Sequence, residues 1–132
     1  MKELLAVRCA IALGGCVPVF AGLAGVLLGL EMVGADSAPP GADSHFRYLS
    51  GLLLGLGLGF WSCIPALPRR AGRMRLLTAV VVAGGLGRLL GVLLHGWPDT
   101  PMSLALGMEL VVTPLLCWWQ GRVAYRAANQ SA

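Results

Sequence analysis

The sequence predicts an all-α integral membrane protein, with four transmembrane helices in an antiparallel bundle and both termini in the cytoplasm (N-in/C-in). Its 132 residues are 57% hydrophobic and only 12% charged, with a mean hydropathy of +0.76. A soluble domain carries about a quarter charged residues, so this chain lacks the composition to cover a soluble surface. The hydrophobic residues form four long runs without period-two alternation, and the basic residues cluster on alternate connections.

The four runs each approach the ~20 residues that cross a ~30 Å hydrocarbon core as a helix. They predict helices at about residues 7–30, 46–67, 75–95 and 102–121. Turn-forming residues predict loops at 34–44 (GADSAPPGADS) and 96–101 (GWPDTP), and an arginine-rich cytoplasmic loop at 68–75. A chain of this length holds one compact domain, so residues 1–132 are predicted to form a single transmembrane domain.

The orientation is predicted from the basic residues that lie outside the runs. They precede the first run, fill the second connection and follow the last run, whereas the first and third connections contain none. The positive-inside rule therefore places both termini and the arginine-rich loop in the cytoplasm. The net charge of +4 is explained by this topology, with at most contact with anionic lipid head groups on the inner side, and it requires no nucleic acid. These residues are Lys2, Arg8, Arg69, Arg70, Arg73, Arg75, Arg122 and Arg126.

Small residues recur at helical spacing in the first three runs. In a bilayer, helices associate through close backbone contact, which small residues permit. The spacing predicts helix-packing strips, either within the bundle or on a face that contacts a second copy. The strips are Ala21, Gly25 and Gly29; Gly51, Gly55 and Gly59; and Gly84, Gly87 and Gly91.

Two charged residues, Arg88 and Glu109, lie well inside hydrophobic runs. Arg88 is seven residues before His95 and Glu109 is seven residues after Met102, so both lie about 10 Å inward from the outer boundary. An isolated charge at such a position costs about 2.5–3.5 kcal/mol. A guanidinium and a carboxylate can pair through two hydrogen bonds, and we therefore expect these side chains to meet.

Further polar residues are expected near this pair in the outer half of the bundle. Arg47 lies just inside the outer end of the second helix, and His45 and His95 lie near the rim with Asp99 and Glu31. Two arginines facing one glutamate leave one positive charge. Such a site would suit an anionic or hydrogen-bonding head group, such as a lipid phosphate, a carboxylate or a quinone carbonyl.

Other interpretations of these residues remain open at this point. A buried Arg88–Glu109 pair can serve only to fix helix register, and Arg47 can extend outward to the interface. Glu109 can also act as a proton acceptor in a small integral-membrane enzyme or transporter. His45, His95 and Asp99 are the nearest approach to a metal site, but no metal or other cofactor is predicted, and no enzyme motif is recognisable.

Three stretches carry a resemblance to a known family: SHFRYLSGLLLGLGL (44–58), GGLGRLLGVLLHGWP (84–98) and ALGMELVVTPLLCWWQGR (105–122). With these the chain resembles DUF4345, a family of small four-helix bacterial membrane proteins of unknown function. The resemblance implies a four-helix fold in the bacterial inner membrane and the relevance of Arg47, Arg88 and Glu109. It implies no activity.

The expected function is therefore non-enzymatic. We expect a module that binds membrane lipid or another amphipathic ligand, quinone-like or anionic, or an accessory subunit of a membrane complex. Its expected partners are a membrane protein or a second copy of the chain, and no nucleic acid.

Overall fold

The computed structural model describes residues 2–35 and 39–129, which are helical over most of their length and include no strand. Five α-helices follow one another: α1 (Lys2–Leu28), α2 (Pro40–Cys63), α3 (Ala71–His95), α4 (Thr100–Gly107) and α5 (Thr113–Asn129). Tight 3₁₀ segments follow α1 (Gly29–Val33) and α2 (Ile64–Arg70), and a π-helical segment (Met108–Val112) joins α4 to α5. The all-helical class predicted from the sequence is thus confirmed.

Three helical stretches within the described residues are long and apolar enough to cross a membrane. They are Lys2–Val33, Pro40–His95 and Thr100–Arg126. The middle stretch is 56 residues long because the 3₁₀ segment joins α2 to α3 without an intervening loop. The backbone leaves helical geometry at Ala66 (φ −126°, ψ 44°) and again at Arg70 (φ −107°, ψ 24°), directly before α3.

The helices begin two to six residues before the predicted bounds, whereas α3 ends at His95 as predicted. The loop predicted at 34–44 is shorter, because Pro40 begins α2, and proline is favoured in the first helical turn where its missing N–H is not needed. The loop predicted at 68–75 is wrong, because residues 64–70 are 3₁₀-helical and α3 begins at Ala71. Arginine is a good helix former, so charge clustering alone does not interrupt a helix.

Contacts divide the chain into two compact units. The N-terminal unit is Cys9–Ile64, and the C-terminal unit comprises the described residues of Met1–Arg8 and Pro65–Ala132. The predicted single domain at residues 1–132 remains a prediction.

In the N-terminal unit, α1 approaches α2 at glycines. A Cβ at Gly22 would lie 2.5 Å from the backbone nitrogen of Leu54, and one at Gly57 would lie 2.7 Å from Val19 Cγ2. A Cβ at Gly25 would collide with the Ser50 side chain. The glycines therefore allow the two backbones to come closer than any larger residue would permit.

In the C-terminal unit, a tightly packed core forms where α3 and α5 meet the segment after α2. Val7, Leu67, Met74 and Gln120 are each at most 1% exposed. Gln120 donates a hydrogen bond of 2.8 Å from Nε2 to the carbonyl of Leu67, within the segment where the backbone leaves regular helical geometry. A buried carbonyl needs such a donor, and Gln120 supplies it from α5.

Candidate functional site

Arg88 on α3 and Glu109 in the π-helical segment form a closed, two-pronged ion pair. Arg88 Nε donates to Glu109 Oε2 at 3.0 Å, and Arg88 Nη2 donates to Oε1, also at 3.0 Å. The third guanidinium nitrogen, Nη1, donates to the sulfur of Met102 at 2.9 Å. The pairing predicted by counting residues on either side of the outer loop is therefore present in the structure.

The backbone at Glu109 is π-helical, and the following residues explain why. Pro114 lacks an N–H and its ring crowds the carbonyl four residues earlier, so a regular α-helical turn cannot continue through it. The chain widens by one residue instead: both the backbone N–H and the hydroxyl of Thr113 donate to the carbonyl of Met108, five residues back. Such single π turns inside α-helices occur frequently at functional sites.

The closest approach of α3 to this segment is at Gly85, which is buried. A Cβ there would lie 2.7 Å from Leu110 Cδ2 and 3.0 Å from Glu109 Cβ. The packing strip predicted in this helix does not pack within its own unit, since a Cβ at Gly84, Gly87 or Gly91 would meet no described atom of that unit within 4 Å. Its alternative role, as a face that contacts a second copy, stays a prediction. The helix is rotated by about one residue, or 100°, from the predicted face.

The strip predicted in the second run is also displaced. A Cβ at Gly55 would meet nothing within 4 Å, and one at Gly51 would make only an ordinary contact with Val26. In the first run, Gly25 and Gly29 of the predicted strip do lie against α2, at Ser50 and at Asp43 with Arg47.

The Arg88–Glu109 pair is partly exposed, not buried within the protein. The side chains are 33% and 21% exposed, and no charged residue among those described belongs to the buried class. Arginine has five N–H donors. Three are used here, one of them on a thioether, which is a weak acceptor. The pair thus keeps donors on its open side.

Arg47 has a well-defined structural task within the N-terminal unit. Its Nη1 donates to the carbonyls of Val26 and Leu27 at 2.7 and 3.0 Å, and its Nε donates to Asp43 Oδ2 at 2.7 Å. Asp43 Oδ1 in turn accepts the backbone N–H of Leu30 at 2.9 Å. The last carbonyls of a helix have no partner within it, so this pair on α2 caps the C-terminal end of α1.

The cap requires a change of backbone direction just after α1. Gly29 has a φ of +64°, a conformation that favours glycine. A side chain there would also collide with Asp43 and Arg47. A cation at a helix C-terminus is additionally favoured by the helix dipole. Arg47 therefore binds protein groups of its own unit, which is a structural role that the sequence did not indicate.

The remaining predicted site residues lie at helix ends and on exposed positions. His45 stacks on Tyr48, with ring centroids 6.4 Å apart, and His95 is the exposed last residue of α3. Asp99 is the N-cap of α4 and accepts the N–H of Met102 at 3.4 Å, while Glu31 is exposed in the 3₁₀ segment after α1. Within residues 2–35 and 39–129, no group of three His, Cys, Asp or Glu is arranged to hold a metal ion.

The structure thus joins two of the predicted site residues, Arg88 and Glu109, in the C-terminal unit. Arg47 and His45 belong to the N-terminal unit, and the convergence of the three charged residues remains a prediction. Two partners were missed by sequence reasoning. Asp43 is four residues before Arg47, a helical pairing distance that could have revealed it. No comparable spacing in the sequence identifies Met102 as a partner of Arg88.

Taken together, the described residues define a small helical protein with stretches of membrane-spanning length and a partly exposed ion pair between α3 and the π-helical segment. The model of one family, described as a domain of unknown function (DUF4345), matches residues 6–120, and the chain belongs to this family. The resemblance noted at 44–122 is thereby confirmed and extends through the first helix. Neither a curated protein nor a solved structure matches the chain significantly.

Proposed function

We propose that the chain is a multi-pass protein of the bacterial inner membrane that crosses four times, with both termini in the cytoplasm. The stretch Pro40–His95 supports two crossings, because α2 and α3, with 24 and 25 residues, are each about 36–38 Å long, enough for a hydrocarbon core of about 30 Å. The non-helical backbone at Ala66 and the exposed Arg69 beside it mark where the chain would leave the bilayer.

Cysteine labelling tests this topology. In a background without native cysteines, Gly41→Cys and Gly72→Cys place thiols at two exposed positions where a side chain meets no described atom. We expect a membrane-impermeant maleimide to label residue 41 from outside the cell and residue 72 only after the membrane is opened. Equal labelling of both in intact cells would contradict the four-crossing arrangement.

Within this membrane protein, we propose that the Arg88–Glu109 pair binds the polar end of an amphipathic molecule in the outer half of the bilayer. The observation that supports it is the partial exposure of a polar pair in a helix expected to lie in lipid. Unused N–H donors facing hydrocarbon would be costly, so an acceptor-bearing group beside them is favoured. A lipid phosphate or ester, a carboxylate and a quinone carbonyl all supply such an acceptor.

A ligand-induced shift in thermal stability tests this proposal. A ligand that binds only the folded state raises stability by RT ln(1 + [L]/Kd), about 2.7 kcal/mol at a hundredfold excess over Kd. We expect at least one of three probes, phosphatidylglycerol, a fatty acid or a short-chain quinone, to stabilise the wild-type chain in detergent. The double variant Arg88→Met/Glu109→Gln should lose the shift, whereas Arg75→Met, on the same helix, should retain it.

Two outcomes of this assay oppose the proposal. If no probe stabilises the wild-type chain, or if the double variant responds like the wild type, the pair does not bind these head groups. The alternative in which Glu109 accepts a proton from a substrate has less support, because both of its oxygens already accept N–H groups of Arg88. In the alternative role of an accessory subunit, the chain binds a membrane partner or a second copy of itself. The same exposed pair would then donate hydrogen bonds to a polar side chain of that partner.

A further inference from the structure

An open apolar groove lies along one face of the last helical stretch; it begins three residues after Glu109 and runs toward the C-terminus, away from the Arg88–Glu109 pair. It is lined by Val112, Leu115, Leu116, Trp118 and Trp119. Leu115 and Trp118 are 57% and 60% exposed. From its first to its last residue the groove extends about 10 Å along the helix axis.

A second pocket continues from the groove toward the C-terminus and is partly polar. Trp118 and Trp119 line both pockets, so they form a shared wall. The other lining residues of the second pocket are Glu3, Arg122, Val123 and Arg126. The combined surface therefore changes from wholly apolar to charged within about four helical turns.

The charges in the second pocket do not balance. Arg126 Nη1 donates to both carboxylate oxygens of Glu3, at 2.8 and 3.0 Å, so this pair is neutral. Arg122 has no carboxylate partner within the described part of the chain. Its guanidinium carbon lies 4.9 Å from the centroid of the Trp118 ring, a stacked position that leaves the edge of the guanidinium open.

We propose that this surface binds one anionic glycerophospholipid of the cytoplasmic leaflet. The phosphate pairs with Arg122, and an acyl chain lies in the groove between Val112 and Trp119. Charge complementarity supports this occupant, because the pocket has one unbalanced cation and adjoins a surface without polar side chains. An arginine edge matches a phosphate through two hydrogen bonds, and tryptophans favour the depth at which head groups meet acyl chains.

This lipid site is separate from the one proposed at Arg88–Glu109. Arg122 follows Glu109 by 13 residues, about 20 Å along the helical stretch. The lipid site at Arg122 rests on the proposed function, in which the C-terminus lies in the cytoplasm. Anionic lipids give that side of the membrane its negative surface charge. If this lipid site proves wrong, the proposal for Arg88–Glu109 still stands, because the two sites are disrupted by different variants.

Lipid binding to the full chain, measured by native mass spectrometry in detergent, tests the proposal. The probes are phosphatidylglycerol and phosphatidylcholine with identical acyl chains, and glycerophosphoglycerol, which has the head group alone. We expect the wild-type chain to retain phosphatidylglycerol in preference to phosphatidylcholine, and not to retain the head group. The variant Arg88→Met/Glu109→Gln, which removes the outer site, should still retain one phosphatidylglycerol. Arg122→Gln should weaken phosphatidylglycerol binding about tenfold, as expected for the loss of a hydrogen bond to a charged group.

A matched control removes the same charge elsewhere. Arg69 is exposed and belongs to the same unit and the same expected membrane side, but it lines neither pocket. Arg69→Gln should change phosphatidylglycerol binding less than twofold. If both variants weaken binding equally, the attraction is a general effect of positive charge and the proposed site is wrong.

A second pair of variants tests the groove without touching the charge. Leu115→Gln places a polar side chain under the expected acyl chain and should weaken the binding of phosphatidylglycerol at least threefold. Leu104→Gln, at an equally exposed position outside the groove, should not. If spectra instead show a dimer that Leu115→Gln dissociates, with lipid binding unchanged, the groove is covered by a second copy and the proposal is overturned.

Discussion

Replacing Arg88 and Glu109 by neutral residues, singly and together, tests whether the two side chains stabilise the protein only as a pair. Glu109→Gln leaves a guanidinium without its carboxylate, and Arg88→Met leaves a carboxylate without its guanidinium. Two N–H···O contacts of 3.0 Å are lost in each case. An unpaired charge in the hydrocarbon costs about 2.5–3.5 kcal/mol. Because the side chains are 33% and 21% exposed, we expect the lower part of this range, about 2.5–3 kcal/mol for each single variant.

The double variant Arg88→Met/Glu109→Gln should lose far less stability than the sum of the single changes. Neutral replacement of a whole ion pair is often close to neutral, so we expect a loss of about 0–1 kcal/mol. The resulting coupling energy is at least about 4 kcal/mol. The assay is reversible unfolding in mixed micelles, followed by tryptophan fluorescence, with the free energy of unfolding extrapolated to the absence of denaturant.

The Glu3–Arg126 pair provides the matched control. Its side chains are 59% and 50% exposed, and exposed pairs contribute about 0–1 kcal/mol. Its double-mutant cycle should therefore show weak coupling. If the Arg88–Glu109 cycle is additive within about 0.5 kcal/mol, the two residues act independently and the reasoning from their geometry is refuted.

Three further predictions concern the free energy of unfolding in the same assay. Gly85→Ala should destabilise the chain by about 1–3 kcal/mol, because its methyl group would overlap Leu110, whereas Gly84→Ala should be neutral or slightly stabilising; equal effects would contradict the position of the contact. Arg47→Ala should lower the free energy of unfolding by about 1–2 kcal/mol, because the last carbonyls of α1 lose their donor. Arg47→Lys should recover only part of this loss, and full recovery would show that positive charge alone suffices. Gln120→Leu should cost about 1–3 kcal/mol by leaving a buried carbonyl without a donor; an unchanged midpoint would mean that this hydrogen bond contributes nothing.

The helices and the Arg88–Glu109 pair could be predicted because both depend on simple counting. Hydrophobic runs of membrane-spanning length indicate helices, and equal distances from one short connection place two residues at the same level of two adjacent helices. Such reasoning gives depth along a helix with good precision. The rotation of a helix around its axis is predicted poorly, because a shift of one residue corresponds to 100°. For this reason Gly84 was predicted on the packing face, where the structure has Gly85.

Other features depend on how the backbone ends or changes its winding. Pro114 indicates that the last helix must be disturbed, but a kink and a π turn satisfy that requirement equally well. The role of Arg47 follows only once α1 is known to end at Leu28, since the apolar residues around that point do not mark an end. The role of Gln120 could not be predicted, because the sequence does not show that the buried carbonyl of Leu67 needs a side-chain donor. Each of these features is fixed by packing between segments distant in sequence.

The central claim is that the exposed Arg88–Glu109 pair holds the polar end of a membrane molecule. Native mass spectrometry of the full chain, extracted gently with the lipids of its own membrane, tests it most directly. The proposal predicts a retained amphipathic molecule on the wild-type chain that persists in Arg122→Gln and is absent from Arg88→Met/Glu109→Gln. Identical retained species in wild type and in the folded double variant would contradict it.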